Sequence, residues 1–349
     1  MGANLSAGLA VRHRDWELIA LDNLHRRGSE LNLPRLASAG VDFVRGDVRE
    51  ADALGALMGI DALVECSAEP SALTGVDGAT DYAVQTNLFG AYNCLELARR
   101  EHAQLVFLST SRVYPYEPLN SLALSEGETR LELRPDQPLP GASDEGISEQ
   151  FPLQGPRTLY GSTKLAAELL IGEYAASFGL ASVIDRCGVI AGPWQMGKVD
   201  QGVFSYWLLA HHFGWPLSYI GYGGKQVRDL LHVEDLVELI DEQLMDPERW
   251  AGATVNVGGG AGCSLSLLET TALCRELTGR ELNIRSEPVQ RPGDVPVYLS
   301  DCSRLHELTA WHPRRGPREV LEDIHGWISG HAAELAQALE IPAPSSARA

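Results

Sequence analysis

The stretch Gln104-Leu105-Val106-Phe107-Leu108-Ser109-Thr110 is an apolar run of strand length that ends in hydroxyl side chains. Such a continuous run is typical of a strand buried on both faces of a parallel sheet. Similar runs alternate with helical patterns along the first half of the chain. The predicted strands are 18–22, 41–48, 62–68, 104–110 and 181–187, and the predicted helices are 31–38, 51–58, 82–100 and 157–178. This alternation predicts an α/β fold, a doubly wound parallel sheet with helices on both faces.

Beyond residue 188 the pattern is mixed, with helical periodicity at 201–212, 233–245, 264–277, 302–309 and 318–328 and strand patterns at 228–232 and 254–257. We predict a large domain of residues 1–187, to which 226–258 return, and a smaller α+β domain formed by 188–225 and 259–335. Residues 336–349 are predicted to be a loose tail. The segment 116–156 is rich in Pro, Gly, Asp and Glu and is predicted to form a lid or rim over a site, or alternatively a solvated surface excursion.

The composition restricts the partners of the protein. The net charge of −19 disfavours nucleic acid and anionic membranes as general partners. No stretch is long and apolar enough to cross a bilayer, and residues 1–12 contain no secretory core. The six cysteines are scattered and lack C-x-x-C spacing, which predicts reduced thiols in a cytoplasmic protein rather than disulfides or a metal site.

Residues 160–164 read Tyr-Gly-Ser-Thr-Lys, so a tyrosine and a lysine lie four positions apart on a predicted helix. That spacing places both side chains on one face. There the ammonium group of Lys164 is expected to lower the pKa of the Tyr160 phenol from its usual value of about 10. With the Thr110 hydroxyl at the end of a neighbouring strand, this set is suited to remove a proton from a carbinol while a hydride leaves.

A Rossmann-like dinucleotide-binding fold begins with a strand, a glycine-rich turn and a helix whose N-terminus receives the pyrophosphate. Here the first residues run directly into a helical pattern, and Asp22 follows at the end of a predicted strand. A carboxylate at that position binds the adenosine ribose, which favours NAD. Gly2 is therefore predicted to be the last glycine of a phosphate loop. The first strand is expected to be missing through mis-assigned initiation, which would expose two interior strand edges; a genuine variant that does not bind NAD is the alternative.

Several motifs together resemble the extended short-chain dehydrogenase/reductase family. They are Asp22-Asn23-Leu24, Gly46-Asp47-Val48, Asn87, Thr110 with Val113-Tyr114, and Tyr160-x-x-x-Lys164. The stretches 228–235 and 291–294 resemble the nucleotide-sugar branch of that family. Within this branch, residues 26–33, 67–71 and 192–204 are similar to the CDP-paratose 2-epimerase subfamily. The resemblance implies a nucleotide-sugar enzyme that uses NAD.

The resemblance also implies roles for individual side chains. Tyr160 is expected to be the acid and base, Lys164 to bind the nicotinamide ribose, and Thr110 to hydrogen-bond the reacting oxygen. The residues expected to contact NAD are Gly2, Asp22, Asn23, Asp47, Val48, Cys66, Ser67, Ala68, Asn87, Ser109, Tyr160, Lys164 and Cys187. Those expected to contact the substrate are Arg112, Val189, Lys198, Arg228 and Arg291, the arginines at 228 and 291 through its pyrophosphate. As alternatives, Asp47 caps a strand, Asn87 organises a turn, and these two arginines form surface ion pairs.

Ser111-Arg112 stands where the sugar 4,6-dehydratases of the family carry an Asp-Glu pair. Because arginine does not remove a proton at neutral pH, dehydration is disfavoured. The resemblance instead implies an isomerase that epimerises a CDP-3,6-dideoxyhexose, converting CDP-paratose to CDP-tyvelose through a 2-keto intermediate. A UDP-hexose 4-epimerase and a catalytically inactive nucleotide-sugar-binding protein are the alternatives. Helices such as 82–100 and 157–178 often pair between subunits in this family, which implies a homodimer or a higher homo-oligomer.

Overall fold

The computed structural model describes residues 1–71, 73–76, 78–199 and 201–340. The strands are β1 (Ile19–Asp22), β2 (Asp42–Arg45), β3 (Ala62–Glu65), β4 (Gln104–Thr110), β5 (Leu124–Glu126), β6 (Leu131–Leu133), β7 (Ser182–Cys187), β8 (Val189–Ala191), β9 (Ser218–Ile220), β10 (Val227–His232), β11 (Ala253–Val257), β12 (Ser264–Ser266), β13 (Arg285–Glu287) and β14 (Val297–Tyr298). The helices are α1 (Gly2–Arg12), α2 (Leu33–Ser38), α3 (Ala51–Gly55), α4 (Asp81–Val84), α5 (Gly90–Glu101), α6 (Tyr116–Asn120), α7 (Leu159–Phe178), α8 (Val203–Phe213), α9 (Val233–Met245), α10 (Pro247–Trp250), α11 (Leu267–Thr278), α12 (Ser303–Leu308), α13 (Pro317–Gly330) and α14 (Ala332–Ala338). Short 3-10 helices at Ser29–Asn32, Ser111–Val113 and Tyr222–Gly224 and a π turn at Gln85–Phe89 complete the elements.

The parallel strands of the first half form two hydrogen-bonded groups. One is a four-stranded sheet in the order β11-β7-β4-β3, and the other is the pair β1-β2. Parallel neighbours need a crossover, and α2, α5, α7 and α9 lie between the consecutive strands. The predicted doubly wound parallel fold is confirmed.

The two groups share the layers of helices that cover them. Leu21 of β1 and Leu63 of β3 pack against one cluster formed by Leu54, Cys94 and Leu97. On the other face α1 contacts β1 and α9, and α9 contacts β4. Within the described part of the chain, β1 pairs only with β2 and β3 only with β4, so each has one open edge. Residues of β4 are all buried, whereas β1 and β3 are partly exposed, as expected for open edges.

A second sheet lies beside the first. Its strand β10 pairs with antiparallel β12 and with parallel β14 and β8. Within the stretch 226–258, which is predicted to return to the large domain, β10 thus has its hydrogen-bond partners in the second sheet, in β8, β12 and β14. The return begins with α9, which packs on α1, and continues with β11, which pairs with β7.

The segment 116–156 contains more structure than its composition suggests. It begins with α6 and continues into the antiparallel hairpin β5-β6. Its Ile147 and Phe151 are buried in a cluster that includes Tyr114, Val227 and Val297. The segment therefore packs against both the end of β4 and the second sheet. Because its elements are short, no helical or strand period marked them in the sequence.

The end of the chain is helical further than predicted. Residues 336–338 belong to α14, and the buried side chain of Leu335 anchors this helix, so the tail does not begin at 336. Residues 341–349 of the predicted tail, and Asp200 of the stretch 192–204, lie outside the described residues. None of the helices in the described ranges has the length and apolarity that a bilayer span requires.

Candidate active site

The carboxyl end of β4 meets the first turn of α7. Thr158 caps α7 by accepting a hydrogen bond from the backbone N–H of Gly161 at 3.2 Å, which places Tyr160 in the first turn. At the end of β4, the Thr110 hydroxyl oxygen accepts a hydrogen bond from the backbone N–H of Arg112 at 3.2 Å. The Thr110 hydroxyl lies close enough to the phenol of Tyr160 to influence its ionisation. The structure thus brings together the two hydroxyl groups that the sequence predicts to be catalytic.

Glycine at position 161 permits this contact. A Cβ atom added there would overlap the backbone carbonyl of Arg112, in the 3-10 helix that follows β4. Any side chain would therefore push the start of α7 away from β4. The same close approach fixes both the Tyr160–Thr110 contact and the position of Arg112.

Burial dominates the electrostatics of Tyr160. It raises the pKa of the phenol to about 12, while the hydrogen bond from Thr110 acts in the opposite direction. Charges on Cys187 and Glu65 raise the pKa further, and Arg112 lowers it. The prediction of a lowered Tyr160 pKa is therefore wrong for this structure, because desolvation of the phenolate outweighs the nearby positive charge.

Lys164 lies in a buried position next to a carboxylate. Its ammonium nitrogen is 3.4 Å from Oε2 of Glu65, the last residue of β3, and both side chains are almost fully buried. The same nitrogen lies 3.8 Å from the centroid of the Phe107 ring. Sequence reasoning missed Glu65, which is 99 residues from Lys164 and belongs to none of the quoted motifs.

The predicted adenosine contacts gather at the ends of β1 and β2. Asp22 is exposed and accepts a hydrogen bond from the backbone N–H of Leu24 at 2.6 Å. Asn23 donates to Asp47 at 2.9 Å, and Arg49 donates to both oxygens of Asp47 at 2.9 and 2.6 Å. The hydrogen bonds from Arg49 hold the pKa of Asp47 well below its usual range. Asp47 is thus engaged within the protein, whereas Asp22 presents an exposed carboxylate.

The first turn of α1 lies at the end of β3. A Cβ atom at Gly2 would be 3.8 Å from the Cβ atom of Cys66. The exposed Asp22 carboxylate suits the ribose hydroxyls of NAD, and backbone N–H groups at the start of a helix suit its pyrophosphate. These residues fit NAD, which would supply the hydride acceptor.

The remaining predicted cofactor residues are placed as follows. Val48 accepts from Asn93 at 2.8 Å, and Ser67 donates through its N–H to Glu65 at 2.9 Å, with Ala68 next in the loop. Burial raises the pKa of the Cys66 thiol to about 12 and that of Cys187 well above its usual value.

Two of the predicted cofactor residues have structural partners. Asn87, in the π turn, accepts from the N–H of Glu69 at 2.7 Å and donates to Thr163 at 3.1 Å, so it fastens this loop to α7. Ser109 donates to Glu168 at 2.5 Å, and Glu168 forms a buried ion pair with Arg186.

A cleft is lined by residues that lie close to Thr110 and Tyr160 in the chain. Its lining comprises Ser111, Arg112, Tyr114, Tyr116, Leu119, Arg157, Thr158, Val189, Arg228, Gly293, Val295 and Tyr298. Tyr116 and Leu119 come from the segment 116–156, which therefore supplies part of the rim. No carboxylate occurs among these described lining residues. Arg157 was not predicted, although it precedes Tyr160 by only three positions.

Arginine side chains converge in this cleft. Arg112 donates to the carbonyl of Gly293 at 2.9 Å, and Arg228 donates to the Asp294 carboxylate at 2.8 Å. Burial and the charge of Arg228 lower the pKa of Arg112, so the two guanidinium groups lie close enough to repel each other. Three arginines around one cleft, in a protein with a net charge of −19, concentrate positive charge there, with Arg228 paired to Asp294.

Lys198 and Arg291 lie outside this cleft. The ammonium of Lys198 is 3.6 Å from the carboxylate of Glu69, and Arg291 donates to the carbonyl of Val199 at 3.0 Å. Neither residue belongs to the lining. The structure therefore separates them from the arginines at 112, 157 and 228.

Three stretches that resemble the CDP-paratose 2-epimerase subfamily contact one another. Arg26 donates to the backbone carbonyl of Met196 and to the side chain of Gln201. Gly28 has a φ of 82° and leaves room for Met196, whose sulfur lies 3.1 Å from where a Cβ would be. With the Lys198–Glu69 pair, the stretches 26–33, 67–71 and 192–204 form one joint between the cofactor side and the substrate side.

Comparison with known proteins agrees with this geometry. The NAD dependent epimerase/dehydratase family matches residues 1–258. The chain belongs to this family. The family assignment confirms the prediction of an enzyme that uses NAD.

Among family relatives, the chain is 29% identical to CDP-paratose 2-epimerase from Salmonella typhi, over 94% of this chain and 96% of that protein. It is also 29% identical to dTDP-glucose 4,6-dehydratase from Mycolicibacterium smegmatis, over 94% of this chain and 89% of the relative. The structure of UDP-glucose 4-epimerase from Thermus thermophilus with NAD superposes with a TM-score of 0.75 at 24% identity, covering 94% of this chain and 96% of the other. This last likeness shows the shared fold.

Replacing Gly161 by Ala is expected to destabilise the protein. The new methyl group meets the Arg112 carbonyl, and relieving such an overlap costs about 1–3 kcal/mol. Chemical denaturation measures the change in the free energy of unfolding. Gly172→Ala is the matched control, because it lies on the same helix and a Cβ there has no neighbour within 4 Å. Equal stability of the Gly161→Ala variant and the wild type would contradict the close approach.

Proposed function

We propose that this protein is an NAD-dependent nucleotide-sugar epimerase that inverts carbon 2 of a CDP-3,6-dideoxyhexose, converting CDP-paratose to CDP-tyvelose. The observation that carries the proposal is the arginine cleft next to the carboxyl end of β4 and the first turn of α7, which hold Thr110 and Tyr160. Guanidinium groups suit the diphosphate of a nucleotide sugar because they donate paired, charge-assisted hydrogen bonds. A sugar linked to that diphosphate lies within reach of the two hydroxyl groups.

The proposed chemistry is oxidation and re-reduction of one carbinol. Tyr160 in its phenolate form accepts the proton of the hydroxyl at carbon 2, and Thr110 hydrogen-bonds the same oxygen. NAD, when bound, would supply the acceptor for the hydride of carbon 2 and the donor for its return. Tyr160 then gives the proton back to the oxygen of the 2-keto sugar. The residues of the chain thus move one proton, and the reaction is balanced without another reactant.

The cleft favours epimerisation over dehydration. Elimination of water from a sugar requires one group to remove a C–H proton and another to protonate the leaving hydroxyl. The described lining offers Ser111 and Arg112 at the position next to Thr110, and no carboxylate. A guanidinium group remains protonated and performs neither role well. Because a dehydratase relative is equally similar in overall identity, the choice of epimerisation rests on this lining.

The nature of the sugar is inferred from a different part of the molecule. The stretches 26–33, 67–71 and 192–204, which resemble the CDP-paratose 2-epimerase subfamily, are in contact through Arg26, Met196, Glu69 and Lys198. The Salmonella typhi relative matches along nearly the entire length of both chains. A UDP-hexose 4-epimerase is the second candidate, because the catalytic set is the same and the Thermus thermophilus enzyme shares the fold.

Incubation with NAD⁺ and CDP-paratose in deuterated water is expected to yield CDP-tyvelose without deuterium at carbon 2. The hydrogen of carbon 2 leaves and returns as a hydride, so it does not exchange with solvent. Proton NMR measures both the inversion and the isotope content. A parallel reaction with UDP-glucose tests the second candidate. Inversion of UDP-glucose at carbon 4, with CDP-paratose unchanged, would replace the proposal by that alternative.

The matched variants for this assay are Tyr160→Phe and Tyr174→Phe, which remove hydroxyl groups from the same helix. Tyr160→Phe is expected to abolish turnover while binding of CDP is nearly unchanged, because the phenol acts on the sugar and not on the diphosphate. Tyr174, whose hydroxyl donates to Glu96 at 2.5 Å, lies away from the cleft, and its variant is expected to remain active. Activity of the Tyr160→Phe variant near that of the wild type would refute the assignment.

Arg112→Gln is expected to weaken the binding of CDP by about 10-fold or more, since a charge-assisted hydrogen bond contributes about 1.5–3 kcal/mol. Isothermal titration calorimetry at low and high salt measures the affinity. Arg318→Gln is the control, because Arg318 is an exposed residue paired with Glu276. A loss of affinity that is equal in both variants would speak against a diphosphate site in the cleft.

We also propose that the protein forms a homodimer through α5 and α7. Phe89, just before α5, and Tyr92 within it expose apolar surface, as do Leu169 and Phe178 of α7. Exposed apolar side chains grouped on adjacent helices are typical of a protein–protein contact. Sedimentation velocity measures the oligomeric state, and a monomer at micromolar concentration would contradict this part of the proposal.

A further inference from the structure

Glu65 occupies the end of β3 and binds both neighbouring elements. One carboxylate oxygen accepts hydrogen bonds from the N–H and the hydroxyl of Ser67, so the residue also shapes the loop that follows the strand. The other oxygen contacts the ammonium of Lys164 at 3.4 Å. With 4% of Glu65 and 1% of Lys164 exposed, this is a buried ion pair.

A buried ion pair of this kind is not explained by stability alone. Removing two charges from water is costly, and well-packed apolar residues often stabilise a protein equally well. The ring of Phe107 already lies against Lys164 and could pack with an apolar side chain. The pair is located beside the catalytic hydroxyl groups, where the charge of each partner acts on the reaction.

Several neighbouring elements bring charges to Tyr160 and Lys164. Those that act on Tyr160 are Glu65 of β3, Cys187 of β7 and Arg112 of the 3-10 helix, together with the hydrogen bond from Thr110. The charge of Lys164 acts on the thiols of Cys66, Cys94 and Cys187. The α-amino group of Met1 also faces Cys66. Glu65 is thus the carboxylate shared by Lys164 and Tyr160.

We propose that Glu65 is a positioning residue for the Tyr160–Lys164 pair: its carboxylate holds the ammonium of Lys164 at the end of β3 and so limits its action on the Tyr160 hydroxyl. This inference deepens the proposed function and rests on it for its catalytic meaning. The electrostatic effect of Glu65 on Lys164 and Tyr160 does not depend on which substrate binds. When Glu65 is neutral, the ammonium is no longer held, and one negative charge near the phenol disappears. Both changes favour the phenolate.

The test is a set of tyrosinate titrations followed by ultraviolet absorbance in the protein without substrate. The signal of Tyr160 is isolated by subtracting the titration of the same variant that also carries Tyr160→Phe. Glu65→Gln is expected to lower the midpoint of Tyr160 by about one pH unit, because a neighbouring charge of one sign shifts a buried group by that much or more. Lys164→Met is expected to raise it. The double variant is expected to lie between the two single variants.

These opposite signs separate positioning from a structural role. Loss of packing alone would move both single variants in the same direction, and that result would overturn the proposal. Coincident midpoints in Glu65→Gln and the wild type would overturn it as well. Glu69→Gln is the control, since this carboxylate lies on the same loop but pairs with Lys198, and it is expected to leave the midpoint unchanged.

A second readout uses turnover of the sugar nucleotide identified above. Activity that needs the phenolate rises with pH through the pKa of Tyr160. In Glu65→Gln this rising limb is therefore expected to move to lower pH, while KM changes little because Glu65 does not line the cleft. The titrations require no substrate, so they remain decisive if the proposed sugar is wrong. If neither the pH–activity profile nor the Tyr160 midpoint shifts in Glu65→Gln, Glu65 is not a positioning residue.

Discussion

The close approach of α7 to the end of β4 is the constraint on which the site depends. Because Gly161 has no side chain, the backbone of the helix start can lie against the carbonyl of Arg112. That single contact places Tyr160 beside Thr110 and, at the same time, sets the guanidinium group of Arg112 in the adjoining cleft. The proposed acid–base chemistry and the proposed anion binding therefore have a common structural origin. A larger distance between Gly161 and the Arg112 carbonyl would displace both Tyr160 and Arg112.

Electrostatics in the site are a balance between burial and a few charges. The protein as a whole is strongly acidic, yet the cleft collects Arg112, Arg157 and Arg228. The phenol of Tyr160 is buried, which opposes its ionisation, and the neighbouring ammonium is paired with Glu65. Desolvation outweighs the remaining charges here. A count of the nearby cations alone would therefore predict too low a pKa for Tyr160. The proton of Tyr160 is therefore decided first by burial.

Sequence patterns were sufficient where local periodicity and burial agree. The strand 104–110 and the helix 233–245 have the predicted ends, Gln104–Thr110 and Val233–Met245, because each carries an unbroken apolar pattern. Pairings between distant residues left no such signal. Glu65 meets Lys164 across 99 positions, and β10 pairs with the second sheet although its sequence suits either sheet. Ser109 is predicted to contact NAD, and in the structure its hydroxyl donates to Glu168, a pairing that no sequence pattern indicates.

The residues that perform the chemistry do not distinguish one sugar from another, since epimerases of different sugars can share a hydroxyl pair and a lysine. Discrimination has to come from parts of the chain that differ between them. In this protein those parts meet away from the catalytic hydroxyls: Arg26, shortly after the cofactor strand β1, binds the carbonyl of Met196, and Glu69, after β3, pairs with Lys198. Loops that follow the cofactor strands thus hold the loop that follows β8, whose Val189 lines the cleft. The shape of the cleft therefore depends on the conformation that this joint imposes. We expect the contacts between these loops to set sugar selectivity as much as the side chains that touch the sugar.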